Sequence, residues 1–252
     1  MLLDPGQDAA TFSAYRAGFP TQLRDRLQAL GFGLAGSHIL DLGCGQGDLA
    51  KMFAQAGCKV TALDSSEAQL DLARENCAGL DVSFVHASAE QSGLDTASFD
   101  GVIAGQCWHW LDRRRTAAEM ARLTKPGGAL AICHFDWLPL PGNVVAAAED
   151  LIRKWNPVWP MGGGTGIYPQ WLGDMAVAGF ENLESFSNDV AAPHARQEWR
   201  ARLRATVGIA GRLSPQLIHD FDQDVGRMMD SRFPGEPLMV PHRLWVALGR
   251  RK

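Results

Sequence analysis

The chain has 252 residues, of which 46% are hydrophobic and 21% charged, with a formal net charge of −4; that suffices for one substantial core, with no compositional break demanding a second domain. The acidic balance, with no basic run longer than Arg113-Arg114-Arg115, argues against a broad phosphate-binding face and so against nucleic acid as a partner. No apolar stretch nears the ~20 residues of a membrane span and the start MLLDPGQDAA lacks the basic and hydrophobic parts of a secretory signal, so the expected location is cytoplasmic.

Taken in chain order, the pattern predicts a helix over 21–30, a strand over 38–42, a helix over 47–56, a strand over 59–63 and a helix over 66–77. Strands follow over 82–86 and 99–104, then a helix over 113–124. Lys125-Pro126-Gly127-Gly128 is expected to turn the chain into a fifth strand over 128–134, because one Pro and two Gly cannot continue a helix. This alternation is that of a doubly wound α/β sheet with parallel strands. After Trp137 it breaks up: Pro139, Pro141, Pro157 and Pro160 surround a Trp-rich stretch, and Met161–Gly166 has no periodicity, so 137–166 reads as a long, mobile loop. A helix over 169–178, a strand over 180–188, a helical block near 194–230 and a last strand over 239–248 complete the expected order. Five cysteines, Cys44, Cys58, Cys77, Cys107 and Cys133, form no C-x-x-C pair and fit reduced thiols, with no disulfide frame and no metal site.

Residues His38 to Ala50 read HILDLGCGQGDLA, a short apolar strand containing Asp41, a glycine-rich turn, then a helix. Gly43, Gly45 and Gly47 remove side chains where the backbone must turn sharply and come close to a ligand at a strand's carboxyl end. A dinucleotide fingerprint needs G-x-G-x-x-G, and Asp48 stands where its third glycine would be, which weakens a pyrophosphate cradle and with it an NAD-dependent oxidoreductase. Twenty-one residues after Gly43, Asp64 closes the run Lys59–Leu63, where a carboxylate can accept both hydroxyls of a ribose. Asp64 also stands before Ser65-Ser66-Glu67 and has a second reading as a helix N-cap, and both roles can hold together. Asp41 reads as a buried carboxylate hydrogen-bonded to the glycine loop rather than as a direct ligand contact.

The D-L-G-C-G-x-G match followed by an acidic second-strand end resembles the class I S-adenosylmethionine-dependent methyltransferases, and among them the type 11 group that includes ubiquinone, menaquinone and trans-aconitate methyltransferase-like enzymes. At the level of motifs the resemblance covers roughly residues 12–135. It implies a seven-stranded Rossmann-like sheet with helices on both faces and a helical lid inserted before the last strand. One domain would then span 1–252, with the cofactor held by 1–136 and the acceptor pocket and lid supplied by 137–179 and 190–235. The implied cofactor is S-adenosyl-L-methionine, leaving as S-adenosyl-L-homocysteine, and the implied partner is a small-molecule methyl acceptor. Around Gly43, Gly45, Gly47, Asp41, Asp64 and Ser65, the stretch Ala87-Ser88-Ala89-Glu90 looks like the family's third-strand end and gives Ser88, Ala89 and Glu90 a place near adenine, although Ala87 replaces the usual glycine. Gln106 and His109, in Gly105-Gln106-Cys107-Trp108-His109-Trp110, fall near the transferred methyl. Tyr15 and Arg16, in a segment similar to Y-R-P-x-Y-P with Ala17 and Phe19 substituted, fall near the methionine carboxylate.

Methyl transfer is an in-line displacement that needs positioning, and a base only where the acceptor is an O–H or N–H of high pKa; His109 or His134 is then the available group. His109 equally reads as a hydrogen-bonded residue at a helix start, and Trp137, Trp155, Trp159 and Trp171 as core or lid packing. Asn156-Pro157-Val158-Trp159 resembles the N-P-P-Y signature of nucleic-acid amino-methyltransferases but is misplaced, since that signature follows the fourth strand. A non-catalytic S-adenosylmethionine-binding protein shares every one of these features.

Overall fold

The computed structural model describes residues 17–206 and 208–252. Tyr15 and Arg16 lie outside the described residues. In chain order these form α1 (Thr21–Ala29), β1 (His38–Leu42), α2 (Asp48–Gln55), β2 (Lys59–Asp64), α3 (Glu67–Asn76), β3 (Val82–His86), β4 (Phe99–Gly105), a 3₁₀ turn (Trp108–Trp110), α4 (Arg113–Leu123) and β5 (Thr124–Trp137). They continue with α5 (Val144–Trp155), α6 (Gln170–Val177), β6 (Phe180–His194), α7 (Arg196–Arg204), α8 (Pro215–Arg232) and β7 (Leu238–Arg251).

The strands make one seven-stranded sheet in the order β3-β2-β1-β4-β5-β7-β6, and β1 pairs in parallel with both β2 and β4, β2 with β3 and β4 with β5. Chain order reverses between β1 and β4, which makes the carboxyl ends of these two strands the topological switch point where open α/β sheets bind ligands. Central strands covered on both faces need continuous apolar runs, and Ile39, Leu40, Leu42, Val60, Ala62 and Leu63 are all buried. Four of the helices begin on short polar side chains: Ser66 Oγ accepts from Gln69 N, Asp112 Oδ1 from Arg115 N, Asn143 Oδ1 from Ala146 N and Ser214 Oγ from Leu217 N.

By packing, the described residues form two compact units. The larger comprises 18–135, 168–187 and 244–252, the smaller 136–167 and 188–243 with Ala17. The larger unit is built around Leu40, Leu42, Val102, Leu130, Ile132, Trp108 and Trp171. The smaller has a core of its own in which Val144, Val145, Ala148 and Ile152 of α5, Trp199 and Leu203 of α7 and Phe221, Val225 and Met229 of α8 come together.

Three expectations change. The expected unbroken loop over 137–166 contains α5, whose residues 144, 148 and 152 make one apolar stripe between the flanking prolines. The expected turn at Lys125–Gly128 lies inside β5: pairing with β4 jumps from Phe99↔Thr124 to Gly101↔Ala129, so the Pro-Gly-Gly segment bulges from the strand, with Gly127 at φ +77°. The helical block contains two helices, one ending at Arg204 and the next beginning at Pro215, and β6 runs on to His194. Residues 161–166 are irregular as expected, and are tied to the smaller unit by Gly163 N–H donating to Glu149 Oε2 (2.7 Å) and by Arg243 Nη1 donating to Thr165 O (3.0 Å).

Candidate cofactor site

The glycine turn leaves β1 at the switch point with Gly43, Gly45 and Gly47 at φ +63°, +53° and +82°, a backbone region that side chains rarely allow. Gly43 is required twice over, because a Cβ there would lie 2.9 Å from Cys107 Cβ. Cys44 N–H donates to Leu63 O (3.0 Å), tying the turn to the neighbouring strand.

Two carboxylates hold this turn. Asp41 Oδ2 accepts from Ala50 N (2.9 Å), so it satisfies a first-turn donor of α2 rather than the glycine loop itself; the N-cap of that helix, Gly47, has no side chain to do so. Its other oxygen, Oδ1, is buried without a partner among the described residues. Burial raises the Asp41 carboxyl to about 7, against the Ala50 hydrogen bond and with help from Asp64 and Asp48. Asp64, at the end of β2, accepts from Gly45 N through Oδ2 and from Ser66 N through Oδ1, both at 2.9 Å. The N-cap of α3 is Ser66, so Asp64 serves the glycine turn and the turn leading into α3, and is not itself the cap. Each Asp64 oxygen keeps a second lone pair, giving two adjacent acceptors.

The remaining sequence-derived residues fall into separate groups. Ser65 is exposed, and its carbonyl lies 3.0 Å from His86 Nε2. Just beyond β3, Ser88 Oγ donates to Glu90 Oε2 (2.6 Å), Glu90 Oε1 accepts from Asp112 N (3.1 Å) and Ala89 is buried. Burial works to raise the Glu90 carboxyl, but Ser88, the backbone donors and Arg115 outweigh it and hold it below the usual range. Gln106 follows β4 and is bound to β5: its N–H donates to Cys133 O (2.9 Å) and its Nε2 to Phe135 O (2.7 Å). His109 is exposed on the 3₁₀ turn, its ring 4.5 Å from Trp110 and 5.0 Å from buried His134. The structure therefore joins the glycine turn to Asp64 by a hydrogen bond, with Asp41 bonded to the helix that follows the turn, and joins Ser88 and Glu90 into a second turn. Burial, reinforced by Asp41 and Asp64, raises the Cys44 and Cys107 thiols, which stay neutral.

Sequence reasoning missed two contributors. Asp112 N–H fixes Glu90, and Tyr168 stacks on Trp171 (4.1 Å, 6° between planes) with its ring 4.9 Å from His134. Tyr168 arrives from far along the chain and carries no motif; the cap signal of Asp112 was the readable clue.

Residues 40–132 match the family model of the methyltransferase domain, type 11, and their first strand, glycine turn and second-strand acid are the ones just described. That segment of the chain is similar to the class I methyltransferases. The family is S-adenosylmethionine-dependent. The chain is 39% identical over 123 residues to the demethylmenaquinone methyltransferase of Clavibacter sepedonicus, covering 48% of this chain and 49% of that one. It is 36% identical over 135 residues to the 27-O-demethylrifamycin SV methyltransferase of Amycolatopsis mediterranei, covering 51% and 50%. The chain spans about half the length of these curated relatives. Its fold is shared with the phosphoethanolamine N-methyltransferase 2 of Haemonchus contortus, solved with phosphomonomethylethanolamine and S-adenosylhomocysteine (TM-score 0.57, 16% identity, 98% of this chain and 58% of that one).

Proposed function

We propose that this methyltransferase carries a methyl group from S-adenosylmethionine to an oxygen or nitrogen atom of a small-molecule acceptor. The observation that carries the reading is the Asp64 carboxylate, held by Gly45 and Ser66 with a lone pair free on each oxygen at the carboxyl edge of the sheet. Paired acceptors fit the vicinal hydroxyls of a ribose, and the bare glycine backbone beside them fits a nucleoside without a pyrophosphate. The cofactor supplies an electrophilic methyl on a sulfonium. Gly43, Gly45, Gly47 and Asp64 would hold it, with Asp41 and Ser65 supporting the turn, Ser88, Ala89 and Glu90 toward adenine, Tyr15 and Arg16 toward the amino-acid end, and Gln106 near the methyl.

His109 is the group assigned to proton removal, since its imidazole is exposed and an imidazole is the side chain suited to general-base work. Residues 137–179 and 190–235 are assigned to acceptor recognition. The curated relatives are named for a demethylmenaquinone and a demethylrifamycin, both small molecules, which supports that class of acceptor here.

Calorimetry tests the reading. S-adenosylhomocysteine should bind in the micromolar range, about −8 kcal/mol, and NAD should not. Asp64→Ala should weaken binding by roughly 1.5–3 kcal/mol while the protein stays folded. Tighter binding of NAD, or unchanged affinity in folded Asp64→Ala, would refute it.

A further inference from the structure

Gln106 has a backbone φ of +61°, and it is one of only three non-glycine residues among those described, with Ala97 and Asn182, to enter the left-handed region. A residue with a Cβ stays there only where its surroundings over-determine it. Here two hydrogen bonds to β5 do so, from the Gln106 N–H to Cys133 O and from Nε2 to Phe135 O. The second also settles which way the amide faces. A backbone carbonyl only accepts, so the amide nitrogen must be the atom toward Phe135 and the oxygen the atom away from it.

That oxygen, Oε1, is buried and has no hydrogen-bond partner among the described residues. A buried acceptor left unmade is costly and therefore rare, and here it coincides with backbone strain in a side chain clamped by its other end. The residue directly after it, Cys107, packs against Gly43 of the glycine turn, since a Cβ on Gly43 would meet Cys107 Cβ at 2.9 Å. The clamped amide thus stands next in the chain to a residue that touches the cofactor loop.

A carboxamide oxygen can bind only a donor. We infer that Gln106 is a ligand-recognition residue whose Oε1 accepts a hydrogen bond from an N–H or O–H group of the bound ligand, and that it selects against a ligand presenting a carboxylate or carbonyl oxygen at that point. The inference rests on the cofactor reading above. Two sources carry the required donor: the α-ammonium at the amino-acid end of the cofactor, and a hydroxyl or amine on the methyl acceptor.

The test compares wild type with Gln106→Gly, which removes the amide and suits the left-handed backbone, and with Gln106→Leu, which roughly preserves volume. Calorimetry is run with S-adenosylhomocysteine and with 5′-methylthioadenosine, which keeps the nucleoside and thioether but lacks the amino-acid end. Methyl incorporation from labelled S-adenosylmethionine is measured on a panel of phenols, amines and simple carboxylic acids. Gln106→Gly should melt at or above the wild-type temperature without ligand. If the ammonium is the donor, both variants lose roughly ten-fold or more in affinity for S-adenosylhomocysteine and none for 5′-methylthioadenosine. If the acceptor is the donor, both affinities hold while incorporation into phenols or amines falls by a similar factor. Unchanged S-adenosylhomocysteine affinity with unchanged or undetectable incorporation overturns the inference, as does equal loss of both nucleosides. Wild type binding neither nucleoside would instead bring down the cofactor reading itself.

Discussion

The glycine turn is where single atoms decide what the site can be. Gly43 combines φ +63° with a Cβ position 2.9 Å from Cys107 Cβ, so Gly43→Ala adds strain and a clash at once. It should cost about 1–3 kcal/mol of stability and weaken S-adenosylhomocysteine binding further than the melting shift explains, as seen by denaturant titration and calorimetry together. An Ala variant with wild-type affinity would show that the turn need not keep this shape to bind. His109 is the second decisive residue: as a base for a hydroxyl or amine it predicts that His109→Ala lowers turnover about 10²–10⁴-fold with cofactor affinity unchanged, and that the loss shrinks at high pH as the acceptor ionises unaided. A pH–rate profile of both proteins checks this. At this scale the sequence was readable where chemistry and spacing coincide, as at Asp64 and the three glycines. It was silent on the left-handed backbone of Gln106, which leaves no compositional trace, and on which carboxylate serves which helix, because Asp41 reaches Ala50 only through the packing of α2 on β1.

Elements were legible in proportion to how locally their burial is encoded. Strands β1 and β2 follow the sequence because a central parallel strand is a short apolar run bounded by turn residues, and this is visible without knowing its neighbours. Helix α5 was hidden by its flanks: prolines at 139, 141, 157 and 160 mark a loop, and two β-branched residues open the helix itself. Its support is tertiary. The Asn143 cap begins it, and Ile152 packs with Trp159, Trp199 and Phe221. Phe221 is fully buried on α8, its ring meeting Trp155 of α5 edge-on at 6.3 Å. Phe221→Ala should therefore cost roughly 3–5 kcal/mol, measured by urea unfolding. A cost below about 1 kcal/mol would mean that these helices do not depend on this shared core.

Across the whole molecule, the buried Asp41 carboxyl and the buried His194 and His242 imidazoles respond to acid in opposite directions. In the larger unit the Asp41 carboxyl, raised by burial to about 7, keeps its proton in the folded state where the unfolded chain has lost it. Stability from this group is complete below about pH 4 and is lost as pH rises through 7. In the smaller unit, burial and then Arg202 lower His242 to about 3 and His194 to about 4, so both stay neutral in the folded state while the unfolded chain protonates near 6.5. Their stability is complete above about pH 6.5 and is lost as pH falls through 4 and 3. Between pH 4 and 6.5 the two effects oppose each other, each group changing stability by at most about 1.4 kcal/mol per pH unit. Two variants separate them: Asp41→Asn should gain on wild type in thermal melts as pH rises from 4 to 7, whereas His242→Gln should gain as pH falls from 6.5 to 4. Hydrogen exchange in wild type should show the same opposition, with α7 and the start of β7 losing protection at pH 5 relative to pH 7 while β1 and α2 hold or gain. Parallel melting profiles for the two variants would show that neither buried group changes its proton affinity when the chain folds.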